Sequence, residues 1–181
     1  MTREEALTLL KRHLKNRNLI KHSLADEAVL RALARRLGED EDLWGLTGIL
    51  HDIDYEETAE DMSRHTIVGA EILREERVDE RVIHAALAHN DKAPRGSALD
   101  KALFASDPLT GLIVAAALIR PEKKLSAIDT QFVLNRFKEK GFARGARRED
   151  ILTCSGLGLD LREFVDISLH AMQGISDELG L

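Results

Sequence analysis

Seven histidines occur in the chain, at positions 13, 22, 51, 65, 84, 89 and 170. Imidazole can carry a proton, a hydrogen bond or a metal ion, so each position is read from its neighbours. His51 is followed at once by Asp52 in LTGILHDIDY, Leu46 to Tyr55. An apolar run ending in an imidazole and a carboxylate buries two polar groups together, which is costly unless something pairs them. His22 shares a helical stripe with Ala25, Val29 and Leu33, His65 with Val68, Gly69 and Ile72, and His89 with Val82, Ala85 and Ala86. That spacing belongs to the core-facing sides of helices. Imidazoles pointing inward from several helices need a common partner, and a metal ion is the simplest one.

The other three histidines read differently. His13 sits among Lys11, Arg12 and Lys15 and is expected in solvent. His84 precedes His89 by five residues, which turns it roughly 140° away on one helix. It is placed outside the cluster. His170, in DISLHAM, reads as an ordinary core or surface residue.

Carboxylates complete such a site. Asp52 stands where the end of a helix can turn it and His51 towards one ion. Asp107, in LFASDPLTGL, has two readings: an N-cap followed by Pro108 at the first helical position, or a metal ligand. Spacing leaves the two open. Asp54 is a candidate general base, or else orients His51 or faces solvent; the latter two roles are preferred. Residues 38 to 61 hold ten acids and no Lys or Arg, a solvated stretch that also attracts divalent cations.

Helices must position these groups. The periodicity is helical almost throughout, and no segment alternates with period two. Thr2 and Glu5 make a capping box for a helix through about Lys15. A second runs from about Leu19 to Leu37, stopped by Gly38, and carries His22. A third, about Glu41 to Leu50, delivers His51 and Asp52 at its end. Helices from about Ser63 to Arg77 and Asp79 to His89 hold His65 and His89. After a loop with Pro94 and Gly96, an apolar helix from about Ser97 to Ile119 contains Asp107. Helices near Ser126 to Lys140, Glu149 to Gly156 and Leu161 to Leu179 follow. The expectation is an all-α fold, one compact helical bundle over residues 1–181.

Composition agrees. Hydrophobic residues are 44% and charged residues 32%, ordinary for a globular chain, and aromatics are only 4%. The single Cys154 excludes an internal disulfide. The start, MTREEALTLLKRHLK, lacks the apolar core of a signal peptide, and the uncharged run Pro108 to Ile119 is shorter than the roughly 20 residues a bilayer requires. A cytoplasmic protein with no membrane partner is expected. The net charge of −6 argues against bulk nucleic-acid binding.

His22 in KHSLA, His51-Asp52 in GILHDIDY and Asp107 in ASDPLTGL together resemble the HD superfamily of metal-dependent phosphohydrolases. The likeness covers roughly residues 18 to 120, leaving the helices of 121–181 outside it. It implies an all-helical HD-type bundle with His22, His51, Asp52 and Asp107 as primary ligands. His65 and His89 fall where binuclear members carry two further histidines, an arrangement similar to that of dinucleoside-tetraphosphate hydrolases. There Asp52 would bridge two ions of iron, manganese or a similar metal. Tyr55 stands where many relatives have a lysine, and a GYP signature is absent.

The chemistry implied is hydrolysis of a phosphate ester or anhydride in a small phosphorylated molecule, a nucleotide being one candidate. The ions would lower the pKa of a bound water towards roughly 7, as in the best-known zinc case. Lys92, Arg95 and Lys101, between His89 and Asp107, are candidate substrate contacts. RFKEKGFARGARR, residues 136 to 148, has six basic residues against one acid and reads as a solvated face or a phosphate lip. Two other classes remain open: an HD-fold di-iron oxygenase with a similar ligand set, and a non-catalytic metal-binding sensor.

Overall fold

Helix α1 (Arg3–His13) starts at the expected capping box: Thr2 Oγ1 accepts from Glu5 N at 3.2 Å, and the Glu5 carboxylate accepts from Thr2 N at 2.7 Å. The computed structural model describes residues 1–181, which are helical with no strand. Helix α2 (Arg17–Leu37) begins at Asn16 and ends at Gly38, whose φ of 74° lies in the left-handed region glycine favours. Then follow α3 (Glu41–Leu50), α4 (Tyr55–Thr58), α5 (Ile67–Glu75), α6 (Glu80–His89) and α7 (Ala98–Leu118). Helices α8 (Thr130–Lys138), α9 (Arg148–Leu152), α10 (Leu161–Gln173) and α11 (Ser176–Leu179) close the chain.

Four boundaries depart from the sequence expectation. Helix α5 begins at Ile67 rather than near Ser63, because Thr66 takes a φ of 67° and its N–H goes to Asp54 instead of into a helix. Asp129 caps α8 by accepting from Phe132 N, so that helix starts at Thr130. The segment after Arg148 tightens into a 3₁₀ turn over Thr153–Leu157 and stops at Gly158. The last expected helix divides between Gln173 and Ser176 into α10 and α11.

Helix α7 decides the question at Asp107. Its start is a capping box between Ser97 and Asp100, and it runs unbroken through Pro108. Asp107 therefore lies in mid-helix, and the N-cap reading is overturned. Proline in a helix interior removes a hydrogen bond and typically costs ~3 kcal/mol, a cost the surrounding packing must offset. By length and composition α7 is also apolar enough to cross a membrane, longer than the run read from the sequence. Yet Leu103, Leu109, Leu112 and Ile113 are completely buried against the other helices.

The core lies where α2, α3, α6 and α7 meet, with α10 against α2 and α7. Leu30, Leu33, Ile49, Leu50 and Ile83 are wholly buried there, each stabilising the fold by ~1.5–3 kcal/mol. Gly48 lets α3 lie directly on α2: a Cβ at that position would sit 2.4 Å from Glu27 N and 2.6 Å from the Asp26 carbonyl carbon. This close approach brings the end of α3, with His51 and Asp52, beside His22 on α2.

Candidate metal centre

Six residues converge from five places in the chain. His22 comes from α2, His51 and Asp52 from the end of α3, His65 from the turn before α5, His89 from the last residue of α6 and Asp107 from α7. Asp52 is the hub. Its Oδ2 lies 3.5 Å from His51 Nε2 and 3.7 Å from His22 Nε2, while its Oδ1 lies 3.3 Å from both His65 Nε2 and His89 Nε2. His22 Nε2 is also 3.0 Å from Asp107 Oδ1. The imidazole rings of His22 and His51, and of His51 and His89, stand edge to face with centroids 5.3 and 5.1 Å apart.

All four imidazoles are tied from behind. His51 Nδ1 donates to Gly48 O at 2.9 Å and His89 Nδ1 to Ala86 O at 2.6 Å. His65 Nδ1 meets Asp54 Oδ1 at 3.0 Å, and His22 Nδ1 meets Asp26 Oδ2 at 3.3 Å. Anchoring the proton on Nδ1 leaves each Nε2 lone pair aimed at the hub, the arrangement found behind metal-binding histidines. His51 Nε2 shows the consequence most clearly: it is buried and has no hydrogen-bond partner. Lone pairs gathered around a carboxylate repel one another unless a cation lies among them. The donor set fits divalent transition metals, which accept imidazole nitrogen and carboxylate oxygen together. His22, His51 and Asp107 offer atoms within 4.8 Å of one another, as do His51, Asp52 and His89.

Protons take the cation's place when metal is absent. Burial opposes charging His22, but Asp26, Asp107 and Asp52 outweigh it and raise its pKa to about 10. Burial likewise opposes charge on His65, which Asp52 and Asp54 raise to about 9. At His51 burial prevails and the pKa falls. Burial would raise Asp52, yet His51, His65 and His89 hold it well below the ordinary carboxylate range.

Asp54 does not face solvent or touch His51. It is buried, with Oδ1 on His65 and Oδ2 accepting from Thr66 N at 2.8 Å and Gly69 N at 2.9 Å. With its oxygens so engaged, it orients His65 and steadies the start of α5, roles other than the general base considered from the sequence. Sequence reasoning missed Asp26, completely buried behind His22 and bonded to Thr110 Oγ1 at 3.2 Å. An acid four residues after His22, on the same apolar stripe, was its available signal. Asn90 was also overlooked as a participant; its amide donates to His65 O at 3.1 Å. His84 pairs with Asp100 at 3.1 Å, away from the hub, and His170 is exposed near Asp166.

Two cavities open on several members of the cluster, and a third reaches His22 alone from the Thr110 side. One, of about 340 Å³, is walled by His22, Asp52, Tyr55, His65, His89 and Asp107 among others. The larger, about 550 Å³, shares His22, His89, Asn90 and Asp107 and extends to Phe104, Arg144 and Arg147. Lys92, Arg95 and Lys101, expected as substrate contacts, line neither. Arg95 instead stacks 3.8 Å from the centre of the Phe104 ring and pairs with Asp91, while Lys101 faces a separate hollow with Thr153 and Ser155. Lys92 and Arg95 lie in the loop before α7 and Lys101 in its first turn, so nearness to His89 in sequence does not by itself bring them to the cluster.

This is an all-helical domain that gathers imidazoles and carboxylates around one buried aspartate. The chain belongs to the HD domain family, whose model matches residues 19–129. Ribonuclease Y of Oleidesulfovibrio alaskensis is 30% identical over 96 residues, covering 53% of this chain and 18% of that relative. Ribonuclease Y of Sulfurovum sp. is 28% identical over 165 residues, 90% of this chain and 32% of the relative. The chain thus spans no more than about a third of these relatives. The HD domain of the L. monocytogenes phosphodiesterase PgpH superposes with a TM-score of 0.57 at 19% identity, covering 92% of this chain and 98% of that one, and so shares the fold.

Proposed function

We propose that this chain is a metal-dependent phosphohydrolase that cleaves a phosphate ester or anhydride in a small phosphorylated molecule. The observation that carries the reading is the two-sided presentation of Asp52, one oxygen towards His22 and His51 and the other towards His65 and His89. His22, His51, Asp52 and Asp107 would hold one divalent ion, and His65, His89 and Asp52 a second. Such ions acidify water and neutralise phosphoryl charge. The chain's own part is to hold each Nε2 unprotonated by fixing Nδ1, to supply negative charge through Asp52 and Asp107, and to keep bulk water from the buried side. Asp26 and Asp54 fix the imidazoles and add charge that offsets the ions. The names ribonuclease and phosphodiesterase borne by relatives support a phosphoester bond as the target.

Metal analysis of freshly purified protein, followed by phosphate or alcohol release from a panel of phosphomonoesters, diesters and nucleotides under anaerobic conditions, tests the proposal. Turnover that requires metal and proceeds without oxygen is expected. Oxygen consumption by an iron-loaded protein that releases nothing from the panel would overturn it in favour of an oxygenase.

A further inference from the structure

The larger cavity is lined by His22, His89 and Asp107 of the cluster and by Ala143 to Arg147, the end of the segment 139–147. That segment has little regular structure of its own, yet it is firmly held. Arg148 reaches back and donates to the carbonyls of Phe137, Phe142, Ala143 and Ala146 at 2.5 to 3.1 Å, with Glu139 O at 3.4 Å. One guanidinium thus organises the loop through backbone oxygens alone, and its donors are spread across several peptide groups as the planar fork allows. The loop presents Arg144 and Arg147 to the cavity.

The charges on this wall are unequal in their engagement. Asp91 is paired with Arg95, and Asp150 with Arg147 at 3.4 Å. Arg144 is left as the cavity-lining cation without a carboxylate partner. An unpaired guanidinium facing a cavity that opens on a metal centre is suited to an anionic group with two accepting oxygens. The cavity, about 550 Å³, lies within the range of small-ligand sites.

We propose that the loop clamped by Arg148 is a second anion subsite, in which Arg144 binds a further phosphate of the substrate, separate from the phosphoryl group at the metal centre. The substrate class is then a molecule bearing two spaced phosphates rather than a simple monoester. Arg147 assists only when it leaves Asp150, and Arg148 is a positioning residue. The inference rests on the phosphohydrolase reading for the location of the first phosphate.

The test is binding of unhydrolysable probes to manganese-loaded protein: propylene diphosphonate against propylphosphonate, by calorimetry. Wild type should bind the diphosphonate about tenfold more tightly or better, a gain expected from one charge-assisted contact. Arg144→Ala should abolish that advantage and leave propylphosphonate affinity and metal content unchanged, and Arg144→Lys should retain part of it. Equal affinity for both probes in wild type, or an undiminished advantage in Arg144→Ala, overturns the subsite. Failure to turn over any phosphate ester would instead count against the phosphohydrolase reading, because the binding difference is measured without turnover.

Discussion

Asp54 Oδ1 lies 3.0 Å from His65 Nδ1, while its other oxygen accepts from Thr66 N, just before α5, and from Gly69 N in its first turn. One carboxylate therefore sets both the direction of a helix and the tautomer of a histidine at its mouth. Asp54→Asn keeps the shape but can turn an amide N–H towards His65. That would favour the tautomer with hydrogen on Nε2, facing Asp52. Metal affinity at the His65 and His89 side is expected to fall about 10–100-fold, with a smaller loss on the His22 side. Metal titration with two resolved sites checks this; wild-type affinity at both would refute it.

Asp107 is the one carboxylate of the cluster whose removal should leave the fold alone. It caps nothing, and its side chain is 34% exposed. Asparagine there should leave the chelated protein folded, with a modest fall in melting temperature because one of the charges that hold the proton on His22 is lost. Hard cations bind carboxylate far better than amide oxygen, so metal and turnover should be lost together. A variant with full metal content would remove Asp107 from the proposed ligand set.

The pH dependence of stability should differ between chelated and loaded protein. His22 and His65 titrate near 10 and 9 in the folded, metal-free chain, above the ordinary 6.5. Raised histidine values mean that protonation stabilises the fold. This stabilisation is fully present below about 6.5 and is lost as pH rises through 9 and 10. The chelated protein should therefore melt at progressively lower temperature between pH 6.5 and 10. The loaded protein, with metal in place of the protons, should show a much flatter profile. Parallel curves would mean that the ion does not replace those protons.

Gly48→Ala should be far more damaging than a methyl group suggests. The added Cβ would meet the α2 backbone at 2.4 to 2.6 Å, where no flexible side chain can yield. Moving α3 outward would displace the Gly48 carbonyl that holds His51 and widen the gap to His22. A loss of about 1–3 kcal/mol or more is expected, with metal affinity reduced alongside it. Denaturant unfolding and metal titration provide the check, and a variant of unchanged stability would show that α2 and α3 are not so closely packed.

The all-α architecture and the inward faces of His22 and His89 were legible in the sequence because helical periodicity shows which side of each helix faces inward, whereas Asp107 was singled out as a ligand only by the family resemblance and His65 sits in the turn before α5 rather than on a helix face. The capping box at Thr2 and the stop at Gly38 were legible for the same local reason: their hydrogen bonds and dihedral angles involve only near neighbours. Tertiary structure decided the rest. Asp107 followed by Pro108 has the local form of a helix start, yet α7, packed against α2, α6 and α9 among others, runs continuously through it. Asp54 found its partner eleven residues away in His65, and Asp26, which pairs with His22 one turn earlier on α2, gains Thr110 as a second partner only through the packing of α7. Lys92, Arg95 and Lys101 are near the histidines in sequence but line neither cavity at the cluster, whereas Arg144 is remote in sequence and lines the larger one. Periodicity reports which side of a helix is buried; which groups meet there depends on how the helices cross, and that is fixed by contacts between distant parts of the chain.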